Sequence, residues 1–269
     1  MTTMDISVAK GTVVEKTLQL SADQELHINV ENGAHLQLLI EGSCQQLITE
    51  IHVSEAASLD FCDLDTNETN TNRSHKLHIS QDTNSQVFVN SISLSAGNTQ
   101  NTTHVELCGE GAELTLNGMV IASGTQKIEN HTLIQHIVPH TTSHQLYKYI
   151  LDEQATGTYA GLVKVLPGAH HTMSEQTNRN LCVTREAHMF SQPQLEIYND
   201  DVRCSHGSST GQLDEGALFY MQQRGISKHE ARLLLMAAFM SEVVEQVRIP
   251  ALRERLQEMV EKRFRSKSL

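Results

Sequence analysis

Gly33-Ala34-His35-Leu36, Ala56-Ala57-Ser58-Leu59, Asn84-Ser85-Gln86-Val87 and Gly111-Ala112-Glu113-Leu114 repeat one phrase: a turn residue, a small residue, any residue, an aliphatic one. The small residues fall at 34, 57, 85 and 112, at intervals of 23, 28 and 27. Self-similarity at a period of roughly 20–50 residues marks a solenoid, whose coils bury their apolar faces against their neighbours. Around the repeats, from Val13 to Val202, apolar and polar residues alternate in short runs such as Leu26-His27-Ile28-Asn29-Val30 and Leu36-Gln37-Leu38-Leu39-Ile40. Later runs are Leu114-Thr115-Leu116, Leu162-Val163-Lys164-Val165-Leu166 and Leu195-Glu196-Ile197-Tyr198. Alternation marks half-buried strands, and the Gly/Asn/Asp/Ser clusters between them mark turns. With strands alone in each period, a β-helix is expected, with a β-sandwich as the competing architecture. In the β-helix, Leu36, Leu59, Val87 and Leu114 point into one continuous apolar core.

The pattern changes after Gly211. Gln212-Leu213-Asp214-Glu215 leads into Ala217-Leu218-Phe219-Tyr220-Met221, with acidic residues where the helix dipole favours them. Arg224-Gly225 reads as a helix stop. Ser227-Lys228-His229-Glu230 reads as a capping box opening a second helix, Lys228 to Val247. Pro250 begins a third, with Leu252, Leu256, Met259, Val260 and Phe264 at helical spacing. The reading divides the chain into a β-helix core, 1–207, and a small α-helical domain, 208–269. From Gly207 on, ten Lys/Arg face eight Asp/Glu, so the tail carries +2 and the rest −14 of the net −12.

That acidity argues against a sequence-independent grip on nucleic acid. The absence of Trp and the 4% aromatic content leave few stacking platforms for sugars or bases. The first residues, Met1-Thr2-Thr3-Met4-Asp5, do not read as a signal peptide, and no apolar run approaches the ~18 residues of a membrane span. Five scattered cysteines, Cys44, Cys62, Cys108, Cys182 and Cys204, with no CxxC pair, fit neither a disulfide framework nor a zinc ribbon. A reducing cytoplasm is the expected setting.

Among fifteen histidines, His131, His136, His140 and His144 form the densest group. Pro139 and the Thr-rich surroundings argue against a helical zinc motif, so these read as polar strand decoration, and His170-His171 as loop residues. Asp200-Asp201 and Asp63/Asp65 are the carboxylate pairs that a β-helical polysaccharide-acting enzyme would need across a groove. Nucleophile-elbow, P-loop and dinucleotide fingerprints are missing from the sequence, and no catalytic set emerges. In Asp200-Asp201-Val202-Arg203-Cys204-Ser205-His206-Gly207, Cys204 and His206 are two apart and share a strand face. A thiol and an imidazole together suit iron or a similar metal, with further ligands coming from elsewhere.

The stretch from Gly161 to Val247 resembles the C-terminal part of the SufB/SufD family of iron–sulfur cluster assembly scaffolds. The resemblance is carried, in order, by Leu166-Pro167-Gly168-Ala169, Gln176-Thr177-Asn178-Arg179-Asn180-Leu181, Pro193-Gln194-Leu195-Glu196-Ile197, Cys204-Ser205-His206-Gly207, Gly211-Gln212-Leu213-Asp214, Phe219-Tyr220 and Arg224-Gly225-Ile226. The Cys-Ser-His-Gly element is most like the SufD branch. The resemblance implies a right-handed parallel β-helix with helices after it, and a non-catalytic scaffold. It implies a SufB-like paralogue joined through the β-helix ends, and a SufC ATPase docked on the C-terminal helices, to which ATP hydrolysis would belong. It implies a transient iron–sulfur cluster shared with the paralogue, with His206 as the facing ligand and Cys204 as an auxiliary. Family members commonly carry a longer N-terminal segment, so the sequence reads as a fragment or a short form. A homodimer is open for the isolated chain. The competing function is a β-helical polysaccharide-acting enzyme or carbohydrate-binding module.

Overall fold

The computed structural model describes residues 1–265 and is mainly β. Its odd strands form one parallel sheet: β1 (Thr2–Val8), β3 (Gln24–Val30), β5 (Gln46–Val53), β7 (Arg73–Gln81), β9 (Thr99–Leu107), β11 (Lys127–His136), β13 (Thr156–Val165) and β15 (His188–Ile197). The even strands form a second: β2 (Val13–Leu20), β4 (His35–Gly42), β6 (Ser58–Asp65), β8 (Gln86–Ser93), β10 (Glu113–Ala122), β12 (Thr142–Leu151), β14 (Met173–Cys182) and β16 (Arg203–Gly211). The chain alternates between the two sheets, so each odd–even pair is one coil of a parallel β-solenoid. Three helices follow: α1 (Glu215–Gln223), α2 (Lys228–Glu245) and α3 (Pro250–Arg265).

The repeated phrase is the corner of each coil. Leu36 pairs with Leu59, Leu59 with Val87 and Val87 with Leu114, one rung of a single sheet, and all four are buried. The turn residue before each small one is left-handed, with φ of 65° at Gly33, 55° at Ala56, 54° at Asn84 and 73° at Gly111. The same corner recurs at His140 (φ 59°) and His171 (φ 57°), followed by the buried Thr141 and Thr172. Left-handed backbone disfavours residues with a Cβ, so the stacked corners hold Ala and His at a conformational cost. Backbone bonds between coils offset it, such as Ala56 N–H to the Thr83 carbonyl at 2.9 Å and His140 N–H to the His170 carbonyl at 2.9 Å.

The helix signals are realised closely. Asp214 caps α1 with its carboxylate on the Gly216 and Ala217 amides, and Arg224 closes the helix ahead of left-handed Gly225. The Ser227 hydroxyl accepts the Glu230 amide at the start of α2. Leu252, Leu256 and Val260 of α3 are buried, and Met259 is partly so; the Phe264 side chain lies outside the described residues. Met236, Met240 and Val244 of α2 and the buried face of α3 cover the outer side of the even sheet at Leu39, Leu64, Ile92, Met119 and Ile150. Strands buried on both faces lose strict alternation, which is why Leu38-Leu39-Ile40 and Met119-Val120-Ile121 are unbroken apolar runs. Charges pin the cover down. Buried Lys148 reaches the Phe239 carbonyl at 2.8 Å and the Glu242 carboxylate, and Arg255 binds Glu41.

Candidate functional site

β16 is the last strand of its sheet, hydrogen-bonded on one side to β14, and β15 ends the other sheet in the same way. The terminal coil therefore presents backbone donors and acceptors along both outer edges, the usual template for adding a further strand. Residues 205–211 are all exposed. Met173 of β14, Phe190 and Ile197 of β15 and the following Tyr198 are exposed large apolar residues on the last two coils.

Both predicted ligands lie on this end strand. Cys204 sits opposite Ser174 and His206 opposite Gln176, two successive inward rungs. Cys204 is half-buried against the core, and burial pushes its thiol up, an amide contact at Ser174 offsetting part of the effect. It is a thiol at rest, so it ligates only a metal able to displace its proton. His206 is exposed, and among the described residues no hydrogen bond or ion pair holds its ring. The strand thus brings the two residues to one face, with an unengaged imidazole at the mouth of the solenoid.

Behind His206 the interior is polar, which the alternation rule does not foresee. Gln145, Gln176, Asn178 and Asn180 point inward and are buried. Gly161 makes room for this row, since a Cβ there would fall 2.2 Å from Gln176 Nε2 and 2.6 Å from the Tyr159 hydroxyl. The Asn178 carbonyl oxygen accepts Ser191 Oγ and Asn180 Nδ2, each at 2.7 Å, and Ser191 Oγ lies 2.7 Å from Ser208 Oγ. These bonds tie β15 to β14 and β16, fixing the spacing of the open coil. The signal was the period-2 run Gln176-x-Asn178-x-Asn180, whose polar residues take the inward phase.

The other candidates separate. Asp63 is sealed inside the solenoid, where Arg73 donates Nη1 to Oδ2 at 2.9 Å and Nη2 to Oδ1 at 2.6 Å, and His75 Nδ1 lies 2.8 Å away. Burial alone would raise its carboxyl, but the charges and hydrogen bonds of Arg73 and His75 outweigh that and hold it well below the ordinary range. Asp65 accepts Thr99 Oγ1 at 2.9 Å, also in the interior. Asp200 and Asp201 occupy a turn, with Asp201 3.0 Å from His171. Asp63 and Asp65 are thus closed off from any groove that glycoside hydrolysis would require.

The histidine group is dispersed. His131 and His144 lie on outer faces, and His140 sits at a corner with its ring stacked 4.8 Å from His171. His136 departs from the expected surface decoration: it is buried on the inward face of β11, bonded to Thr141 Oγ1 at 2.7 Å and Ser143 Oγ at 2.9 Å. Burial pushes its pKa down to about 4. In the unfolded chain the group titrates near ~6.5, so between these values the unfolded state holds the extra proton. Stability therefore falls as pH drops from about 6.5 to about 4, with no contribution from this group above that window. Urea midpoints measured across the window are expected to fall, with a shallower slope in His136→Gln.

The SUF-system FeS cluster assembly SufBD core domain model matches residues 13–239. The SufD iron–sulfur cluster assembly protein of Escherichia coli is 31% identical over 169 residues, covering 63% of this chain and 40% of the relative. A SufBD family iron–sulfur cluster assembly protein of Synechocystis is 35% identical over 151 residues, 56% of this chain and 33% of the relative. SufD of Bacillus subtilis is 29% identical over 166 residues, 62% of this chain and 38% of the relative. The chain thus spans well under half the length of these relatives. Among the described residues, no helix is long and apolar enough to cross a membrane. The match runs from the second strand into the second helix, taking in the repeat, the inward polar row and the Cys204–His206 edge, and this chain belongs to the SufBD core family of the SUF iron–sulfur cluster assembly system.

Proposed function

We propose that this chain is a SufD-like, non-catalytic scaffold subunit in the cytoplasm that builds iron–sulfur clusters with a SufB-like paralogue and a SufC ATPase. In this reading residues 1–207 act as the β-helix core and 208–269 as the helical domain. The observation that carries it is the terminal strand β16, which displays His206 unengaged beside two unpaired strand edges. A paralogue with the same solenoid end would continue both sheets by strand addition, placing its own ligands against His206. The nascent cluster is then a cargo held between subunits, with Cys204 as an auxiliary ligand. A homodimer in isolation would use the same edges.

The SufC contact falls to the exposed side of the helices. Phe219 and Tyr220 on α1 are more than 60% exposed, and Leu234 on α2 borders a groove with Leu233, Ala237 and Glu261. Removing the helices is the wrong test, because they cover the apolar outer face of the even sheet. Phe219→Ala/Tyr220→Ala is expected to weaken capture of SufC about tenfold or more while leaving SufB capture unchanged. Undiminished SufC binding by this folded variant would remove the helices from the docking assignment.

A further inference from the structure

The outer face of the odd sheet carries a row of imidazoles and carboxylates that the scaffold role does not use. Parallel register places Asp5, His27, Glu50, His78 and His104 on successive strands from β1 to β9. Elsewhere on this face a single imidazole sits among carboxylates, as His27 does 3.3 Å from Glu50 and 3.7 Å from Glu25, or the nearby His52 3.2 Å from Asp82. One position is built differently. Glu106 follows His104 by two residues on β9, so both share the outer face, and His78 is the rung partner of His104 on β7. The carboxylate reaches both rings, with Oε2 3.3 Å from His78 Nε2 and Oε1 3.9 Å from His104 Nε2. The ring centroids are 4.9 Å apart, and the three ligand atoms lie within 4.8 Å of one another.

We propose that His78, His104 and Glu106 form a binding site for a first-row divalent cation of the Zn²⁺ or Fe²⁺ class. Nitrogen and oxygen ligands at 2.0–2.1 Å around a tetrahedral ion stand about 3.4 Å apart. The 3.3 and 3.9 Å separations, each to a different carboxylate oxygen, are close to that edge, and with one atom from each residue the three lie within 4.8 Å, so side-chain rotations that draw the two rings and one oxygen together complete the site. Hydrogen-bonded strands carry all three residues, which holds the ligands in place before the ion arrives. Two imidazoles select against Mg²⁺ and Ca²⁺, which prefer all-oxygen shells. Gln135 Oε1 lies 2.6 Å from the same His104 nitrogen. On binding, the His104 proton moves by way of solvent from Nε2 to Nδ1, so the ring stays neutral while Nε2 gives its lone pair to the ion, and the freed amide oxygen is placed to serve as a neutral fourth donor. The competing state is ion-free, with His78 hydrogen-bonded to Glu106 at 3.3 Å and His104 to Gln135 at 2.6 Å.

The test is a titration of the chelator-stripped full chain with Co²⁺, followed by visible absorption, and with Zn²⁺ by calorimetry. One equivalent is expected to bind with a Kd of about 10 µM or tighter, giving Co²⁺ d–d bands without thiolate charge transfer. His104→Ala and Glu106→Gln should each weaken that binding at least tenfold, whereas His144→Ala, on the other sheet, should leave it unchanged. These side chains are half-exposed on a sheet surface, so the variants are expected to fold, which far-UV circular dichroism checks. Absence of saturable binding, equal affinity in His104→Ala and Glu106→Gln, or a signal dominated by thiolate charge transfer would each overturn the proposal.

Discussion

Replacing Arg73 with Met is expected to destabilise the folded chain by about 3–5 kcal/mol, because it leaves the Asp63 carboxylate inside the solenoid with His75 alone beside it. Both groups are almost fully buried, and the guanidinium makes a two-bond fork to the carboxylate. Such a pair need not add net stability over a well-packed apolar one, since burying each charge costs much of what their attraction returns. The single and double variants therefore diverge. Asp63→Leu/Arg73→Met should recover most of the stability lost in Arg73→Met, as read from urea unfolding midpoints. The depressed Asp63 carboxyl adds an acid dependence of definite sign. Its contribution is present above the unfolded carboxylate value of ~3.9 and is lost as pH falls through the lower folded value. A cost below about 1 kcal/mol for Arg73→Met would mean that water reaches the pair.

The second large effect concerns the solenoid end. His206→Ala, in a complex with SufB and SufC, is expected to leave folding and assembly intact, because the ring is exposed and the strand is held by backbone bonds to β14. Cluster formation should nonetheless fall by about tenfold or more, the order of loss that follows removal of groups supporting a metal site. Cys204→Ala should cost less, since burial keeps that thiol protonated and it packs against the core. Equal losses in the two variants would make Cys204 a full ligand. An assembled His206→Ala complex with normal yield would remove His206 from the site.

Much of the fold was legible because its determinants are local. The corner phrase at Gly33, Ala56, Asn84 and Gly111 sets the coil, and Ser227 and Pro250 start helices by chemistry confined to one turn. The corners at His140 and His171 escaped, since histidine in left-handed backbone carries no glycine signal: His140 read as strand decoration and His171 only as a loop residue. The helical cover on the even sheet was foreshadowed by Leu38-Leu39-Ile40, but an apolar pair does not say what covers it. Inside the solenoid, polar residues defeated the assumption that inward means apolar. Asp63, Asn178 and His136 are tolerated there because partners one coil away, or on the facing sheet, are within hydrogen-bonding reach. The Cys204–His206 edge could be placed on one strand face from spacing, but its position on the last, singly paired strand required the whole topology.

The most direct test of the account is the iron and acid-labile sulfide content of the complex purified after co-expressing this chain with SufB and SufC. A three-component assembly carrying both elements is expected, with the yield lowered in His206→Ala at unchanged subunit composition. An assembly that forms without this chain at full cluster yield, or one that includes it and ignores the His206 substitution, would contradict it.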